Sequence, residues 1–254
     1  MTSRRFVDVH SHVVPSGDDG ADTVEEGIEL CRTAVEAGTR VLFATPHAHA
    51  SWDSYPWDTR RGRLFEEAFP VVRAAAAEMG LDLRRGLELY PTEIPRQDLE
   101  SLVLEGTDGV LVEFPGWWVD IDDAVEITLA GSERVAAAGL VPVLAHPERC
   151  PAIAREPVAV MPFVERGWLL CVNAASLTGD HGERSYEAGW RLLEDGVVSL
   201  VASDGHRAAR PPRLDLAYAA VARRYGEEAA RPLFEGDALP WAEPIAPRAV
   251  TTRG

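Results

Sequence analysis

Cysteine is scarce. Cys31, Cys150 and Cys171 are the only three in 254 residues. An odd number cannot pair completely within one chain, so a disulfide scaffold is excluded and a reduced, cytoplasmic protein is expected. Long apolar runs are missing as well. None approaches the roughly 18 residues of a membrane span, and Met1 to Arg5 leads into a short strand without the apolar core of a signal peptide. Cations are outnumbered, with 25 Lys+Arg against 41 Asp+Glu and a formal net charge of −16. That balance argues against non-specific nucleic-acid binding and against docking on anionic membranes. The usual nucleophile signatures are also absent. There is no Gly-rich phosphate loop and no G-x-S-x-G elbow. The positions six after the cysteines hold Ala37, Glu156 and Leu177 rather than the arginine of a thiol phosphatase.

What the chain does hold is a hydrophobic share of 46%, enough for a folded core. Short apolar runs at 6–9, 41–44, 81–87, 109–112, 141–145, 168–172 and 197–202 alternate with helical spacing. Thr23-x-x-Glu26 is a capping box that opens a helix closed by Gly38, with Val24, Ile28, Cys31 and Val35 on one face. Further helices are expected over 60–79, 95–104, from Asp120 or Asp122 to Ala138, and over 157–166, 183–194, 213–225 and 227–234. Seven strand–helix alternations with no linker predict one parallel α/β domain over residues 1–254, with a loosely packed tail from about 240. Polar residues follow six or seven strands rather than one switch point. That favours a distorted seven-stranded (β/α)7 barrel over an open sheet.

Six of the seven histidines stand just past predicted strands. They are His10 and His12, His47 and His49, His146, and His206. Residues i and i+2 of an extended segment share a face, so His10 can join His12 and Asp204 can join His206. With Asp19, Glu88 and Glu113 the set mixes imidazole with carboxylate and includes no thiolate. Such donors suit Mn²⁺, Fe²⁺ or Zn²⁺ more than Ca²⁺, and there are too many for one ion. A hydrolytic centre of two or three metals is expected, of the kind that activates water and neutralises a phosphoryl oxygen.

Asp8-Val9-His10-Ser11-His12, Gly17-Asp18-Asp19-Gly20, Ala44-Thr45-Pro46-His47, Ala145-His146-Pro147-Glu148-Arg149, Val172-Asn173-Ala174-Ala175-Ser176-Leu177 and Ala202-Ser203-Asp204-Gly205-His206 occur in order between about residues 6 and 215. Together they resemble the PHP (polymerase and histidinol phosphatase) superfamily. Within it they resemble the CpsB/CapC/YwqE bacterial protein-tyrosine phosphatases of capsule and exopolysaccharide synthesis. The resemblance implies a seven-stranded barrel and a usually manganese-loaded trinuclear centre. It implies that His10, His12, Glu88 and Asp204 hold a first metal, and that Glu88, His47 and His146 hold a second with Glu88 bridging. Asp19, Glu113 and His206 become third-metal candidates. Arg149 becomes a phosphate-binding arginine, with Arg210 as a second and Arg207 and Arg213 as rivals for that role. His206 could also assist the leaving group.

The implied substrate is phosphotyrosine, in the tail of a bacterial tyrosine kinase that controls capsular or exopolysaccharide synthesis. Two other readings are a small-molecule phosphatase of the same superfamily, such as a histidinol-phosphatase, and a regulatory module that binds metal without turnover. The chain departs from the family where Ala48 separates His47 from His49. Trp52, Tyr55, Trp57, Trp117 and Trp118 crowd the loops near the expected mouth, where they can stack on a substrate ring or pack the loops.

Overall fold

The computed structural model describes residues 5–48, 60–95, 98–116 and 123–242. His49, the five loop aromatics, Asp120 and Asp122 lie outside the described residues.

Eight strands are present among them. They are β1 (Phe6–Asp8), β2 (Thr39–Ala44), β3 (Asp82–Arg85), β4 (Glu88–Leu89), β5 (Gly109–Glu113), β6 (Val141–Ala145), β7 (Leu169–Asn173) and β8 (Leu200–Ala202). The helices are α1 (Val24–Glu36), α2 (Arg60–Glu78), α3 (Ala124–Ala137), α4 (Pro151–Arg155), α5 (Met161–Val164), α6 (Ala174–Thr178), α7 (Glu183–Glu194), α8 (Asp215–Tyr225) and α9 (Glu227–Glu235). All strand pairs are parallel, in two sheets of order β1-β2-β3 and β4-β5-β6-β7-β8.

The count differs from the seven expected because the run at 81–87 yields only β3, which pairs with β2, and a separate short strand, β4, follows it after Gly86-Leu87 and pairs with β5. A Cβ on Gly86 would lie 2.7 Å from Leu104 and 2.9 Å from Thr45, so the crossing is closely packed. Backbone hydrogen bonds nevertheless continue past the strand ends. Gly86 N donates to Ala44 O (2.9 Å), Glu88 N to Pro46 O (3.1 Å) and Ala48 N to Glu88 O (2.9 Å). On the other side, Asp204 N donates to His10 O (2.9 Å) and His12 N to Gly205 O (2.7 Å). Isolated bridges His47–Glu88 and Ser11–Gly205 mark these two seams.

Side-chain alternation sorts the core. Val7, Val41, Phe43, Leu111, Val143, Ala145, Cys171, Leu200 and Ala202 form one buried cluster drawn from both sheets. Their neighbours Leu42 and Ala44, and Val110, Val112, Leu144, Leu170, Val172 and Val201, pack outward against helices in two other clusters. Strands buried on both faces explain why the runs read as continuous apolar segments.

Two other expectations are corrected. Proline divides the helix expected at 157–166 into a 3-10 turn at Pro157–Val160 and the short α5, with Pro162 in its first turn. Around 95–104 the described residues form only the 3-10 turn Leu99–Leu102, after Asp98 in a left-handed conformation. Of the expected tail only residues 240–242 are described, and these are anchored. Asp108 N donates to Pro240 O (2.9 Å), Trp241 Nε1 donates to Gly236 O (3.0 Å), and the Trp241 ring lies 6.3 Å from Phe43 beneath the inner cluster. Thr23 caps α1, accepting from Glu26 N at 3.2 Å, while the Glu26 carboxylate reaches back one residue further than a capping box requires and accepts from Asp22 N at 2.8 Å.

Candidate metal centre

The carboxyl ends of the strands bring the candidate donors together. β1 runs into His10 and His12, β2 into His47, β4 begins at Glu88, β5 ends at Glu113, β6 runs into His146 and β8 into Asp204 and His206. Two of these residues adopt left-handed backbone, His146 (φ 41°) and Asp204 (φ 51°). For residues with a Cβ this costs free energy, and at these positions it turns each side chain back over the strand ends.

Glu88, fully buried, stands at the focus. Its Oε2 is 3.1 Å from His10 Nε2, 3.4 Å from His12 Nε2 and 2.8 Å from His47 Nδ1, while Oε1 is 2.9 Å from His146 Nε2. Asp204 Oδ1 lies 3.4 Å from His10 Nε2, 3.6 Å from His12 Nε2 and 3.4 Å from His206 Nδ1. Asp19, more exposed, reaches His47 Nε2 at 3.5 Å and His206 Nε2 at 3.2 Å. Four overlapping donor groups result: His10/Glu88/His146, His10/His12/Asp204, His47/Glu88/Glu113 and His12/Asp19/His47/His206.

By distance Glu113 stands with Glu88 and His47, and Glu88 reaches both His146 (Oε1, 2.9 Å) and His47 (Oε2, 2.8 Å). The chemistry of the set fits divalent metal. His10 Nε2 and His12 Nε2 face each other at 3.2 Å, and two imidazole nitrogens so placed share at most one proton between them. Buried carboxylates converge on the same volume, where a cation neutralises them.

Ionisation in the metal-free site reflects this crowding. Burial and neighbouring His47 act to lower His12, but hydrogen bonds to Asp18 and Glu88 outweigh them and leave it at about 9. His47 also rises well above its ordinary value: burial opposes the shift, and Glu88 and Asp19 overcome it. Glu113 is pushed up to about 8 by burial and by the Glu88 charge. His206 falls to about 4 through burial and the nearby His12.

The arginines sort themselves by partner. Arg149 Nη1 donates to Asp204 Oδ2 (3.0 Å), and Arg210 Nη2 lies 3.6 Å from Asp204 Oδ1 and against the His206 ring. Arg207 is engaged by Asp22 and by Asp19 O, and Arg213 by Asp215. Arg149 and Arg210 therefore flank the donor cluster, whereas the rivals are held elsewhere. Cys150 packs in the apolar core with its thiol raised by burial, so it has no thiolate character.

Several residues at the site escaped sequence reasoning. Asp18, adjacent to the chosen Asp19, accepts from His12 Nδ1 (3.0 Å), His47 N (3.2 Å) and Gly20 N (3.0 Å). The turn can fold this closely because a Cβ at Gly20 would meet His12 O at 2.3 Å. Asp8 is buried, accepts from Ser203 N (2.9 Å) and is pushed up to about 6 by burial. Its place two residues before His10 was the available signal. Glu148 Oε1 accepts from Asn173 N (3.1 Å) and Ser176 Oγ (2.6 Å), and Ser176 Oγ also lies 3.1 Å from His181 Nδ1. The motifs contain Glu148, Asn173 and Ser176 but do not connect them.

A profile of the capsular polysaccharide synthesis family CpsB/CapC matches residues 6–239. The chain is 30% identical to the tyrosine-protein phosphatase CpsB of Streptococcus agalactiae serotype V over 242 residues, covering 90% of this chain and 95% of that protein. It is 30% identical to the tyrosine-protein phosphatase YwqE of Bacillus subtilis over 211 residues, covering 79% and 77%. Among solved structures it resembles one from a study of YwqE from B. subtilis and CpsB from Streptococcus pneumoniae, described as unique metal-dependent tyrosine phosphatases. The TM-score is 0.72 at 28% identity, with 88% of this chain and 89% of that chain covered.

Proposed function

The chain belongs to the CpsB/CapC capsular polysaccharide synthesis family, and from that premise we propose that it is a metal-dependent protein-tyrosine phosphatase. The observation that carries this reading is the convergence of imidazoles and carboxylates on Glu88, with Arg149 and Arg210 beside them on Asp204. The proposed substrate is phosphotyrosine in a protein, in particular the tail of a tyrosine kinase that controls capsular or exopolysaccharide synthesis. The proposed setting is the cytoplasm, which agrees with the absence, among the described residues, of a helix long and apolar enough to cross a membrane.

We read the architecture as one domain whose strands make a distorted seven-stranded barrel, β3 and β4 counting as one interrupted strand. The inner cluster shared by both sheets and the hydrogen bonds across both seams support it. Two to three ions, with Mn²⁺ preferred, would be held by His10, His12, Asp19, His47, Glu88, Glu113, His146, Asp204 and His206. Four carboxylates in that set (Asp19, Glu88, Glu113 and Asp204) carry a formal charge that two divalent ions balance.

When bound, such metal supplies Lewis acidity and lowers the pKa of water. The protein's own groups do the rest. Arg149 and Arg210 hold non-bridging phosphoryl oxygens and set the ester in line. The departing phenol has a pKa near about 10, so it needs little protonation. His206 Nδ1 faces Asp204 O at 2.8 Å and its Nε2 faces Asp19, which favours the ligand role over that of proton donor. Metal-loaded protein is expected to hydrolyse phosphotyrosine peptide and to lose that activity on chelation. Hydrolysis of histidinol phosphate with phosphotyrosine at background would overturn the substrate assignment. Replacing Cys150 with alanine is expected to preserve most turnover, as measured on the same peptide. Loss of turnover with Cys150→Ala but not with chelator would point to a thiol mechanism instead.

Protons should leave as metal enters. His12, at about 9, is protonated at pH 7 without metal, His47 is shifted in the same direction, and a ligating nitrogen must be bare. Metal affinity is therefore expected to rise with pH up to about 9. Calorimetry in buffers of different ionisation enthalpy should show net proton release at pH 7. The stability of the metal-free protein has the opposite sign. A histidine raised on folding contributes fully below about 6.5, and its contribution is lost as pH rises through the folded value. Metal-free protein should therefore lose melting temperature between pH 7 and 9 through His12. Proton uptake on metal binding would refute the assignment of His12 and His47.

A further inference from the structure

The segment Val172-Asn173-Ala174-Ala175-Ser176-Leu177 has no part in the scheme above, although it follows β7 directly. Asn173 occupies the N-cap position of α6, yet its side chain makes no capping bond. This is unusual, because an asparagine there ordinarily accepts from the first turn of its helix. Instead Asn173 Nδ2 donates to Asp204 Oδ2 at 2.9 Å. The amide orientation follows from chemistry, since an ionised carboxylate only accepts and the NH₂ group must face it. Arg149 Nη1 donates to the same oxygen at 3.0 Å. Asp204 is thereby divided: Oδ2 is held from outside, and Oδ1 is left toward His10, His12 and His206.

Asn173 is itself held from behind. Glu148 Oε1 accepts from Asn173 N at 3.1 Å and from Ser176 Oγ at 2.6 Å. Glu148 directly precedes Arg149, so one buried carboxylate fixes both the asparagine and the turn that carries the arginine. The asparagine is fully buried, and its Oδ1 has no hydrogen-bond partner among the described residues.

We propose that Asn173 is the positioning residue of this centre: by holding Asp204 Oδ2 beside Arg149 it presents Oδ1 to the metals and couples metal loading to phosphate binding. The proposal rests on the metallophosphatase reading. A side chain that orients a ligating carboxylate typically governs metal affinity by about 10–100-fold. Linkage requires that whatever weakens the coupling be visible from both the metal side and the phosphate side.

The test uses the whole chain with Asn173→Asp and Asn173→Ala. N173D keeps the shape of the side chain but offers no donor and sets a second carboxylate against Asp204. N173A removes the group. Mn²⁺ affinity of metal-free protein is measured by competition with a chromophoric chelator, and inorganic phosphate affinity by inhibition at saturating Mn²⁺. Both variants are expected to bind Mn²⁺ about 10–100-fold more weakly and to be less sensitive to phosphate, with N173D affected at least as strongly as N173A. An asparagine that only fills space would tolerate N173D. Wild-type Mn²⁺ affinity in N173D, or unchanged phosphate inhibition in both variants, overturns the proposal. A wild-type chain that binds no Mn²⁺ would instead remove the metallophosphatase reading, and the proposal with it.

Discussion

Glu88→Gln is expected to lower phosphotyrosine turnover by more than about 10³-fold, beyond the roughly 10–100-fold typical of residues that merely support a ligand. The substitution keeps the shape of the side chain and removes its charge. One Glu88 oxygen lies within 3.4 Å of three imidazoles, and the other is 2.9 Å from a fourth. Glutamine would offer one oxygen where two now face outward, and would aim an NH₂ donor at nitrogens that must be bare to ligate metal. Glu88 belongs to two of the four donor groups, so more than one ion position should be impaired. The core that shapes the fold lies below this layer, and the circular dichroism spectrum should stay native. Two measurements separate lost chemistry from lost fold. Elemental analysis should find fewer ions per chain, and the rise in melting temperature that Mn²⁺ gives the wild type by binding the folded state should shrink. A Glu88→Gln protein with full metal content and near wild-type turnover would show that Glu88 does not bridge.

How far the sequence disclosed this centre depends on which signal each residue left. The histidines were legible because β-strand runs are short, apolar and sharply ended, so a polar residue just past one stands out. Glu88 and Glu113 were found the same way. Their grouping was not legible, since the strand order around the mouth is set by hydrogen bonds between distant segments. Glu113, for one, stands by distance with Glu88 and His47. Seven runs were visible, but the separate short strand after the third was not, because Gly86 acts through close packing on Leu104 and Thr45 rather than through a turn signature. Trp241 lies where no periodic pattern marks an element, although its ring packs against the inner cluster 6.3 Å from Phe43. Asp18, Asn173 and Glu148 stand inside the motifs that carry the resemblance, but nothing in the motifs tells what they do. Their roles include hydrogen bonds across 29, 31 and 25 positions, which no local window contains.

Arg149→Ala is expected to lower kcat/KM for phosphotyrosine peptide by about 10²–10³-fold, the range seen when one preorganised donor to a developing oxyanion is removed. Arg149 Nη1 is committed to Asp204 Oδ2, which fixes the plane of the guanidinium and leaves its remaining donors for an anion at the mouth. All 25 basic residues of the chain are arginines, so no lysine is available to stand in. Asp204 keeps the Asn173 amide and Arg210 after the substitution, and metal content should be retained. That separates this variant from Glu88→Gln, in which metal is lost. Inorganic phosphate should inhibit the variant more weakly, and Arg149→Lys should restore only part of the activity because an ammonium cannot reproduce the planar fork. Arg210→Ala should fall between Arg149→Ala and the wild type. Arg207→Ala and Arg213→Ala remove solvent-screened ion pairs to Asp22 and Asp215 and, for Arg207, one bond to the Asp19 backbone carbonyl rather than to its carboxylate, and should leave turnover close to wild type. If Arg207→Ala or Arg213→Ala proved as costly as Arg149→Ala, the anion would sit on the outer rim of the mouth and the assignment of Arg149 and Arg210 would be wrong.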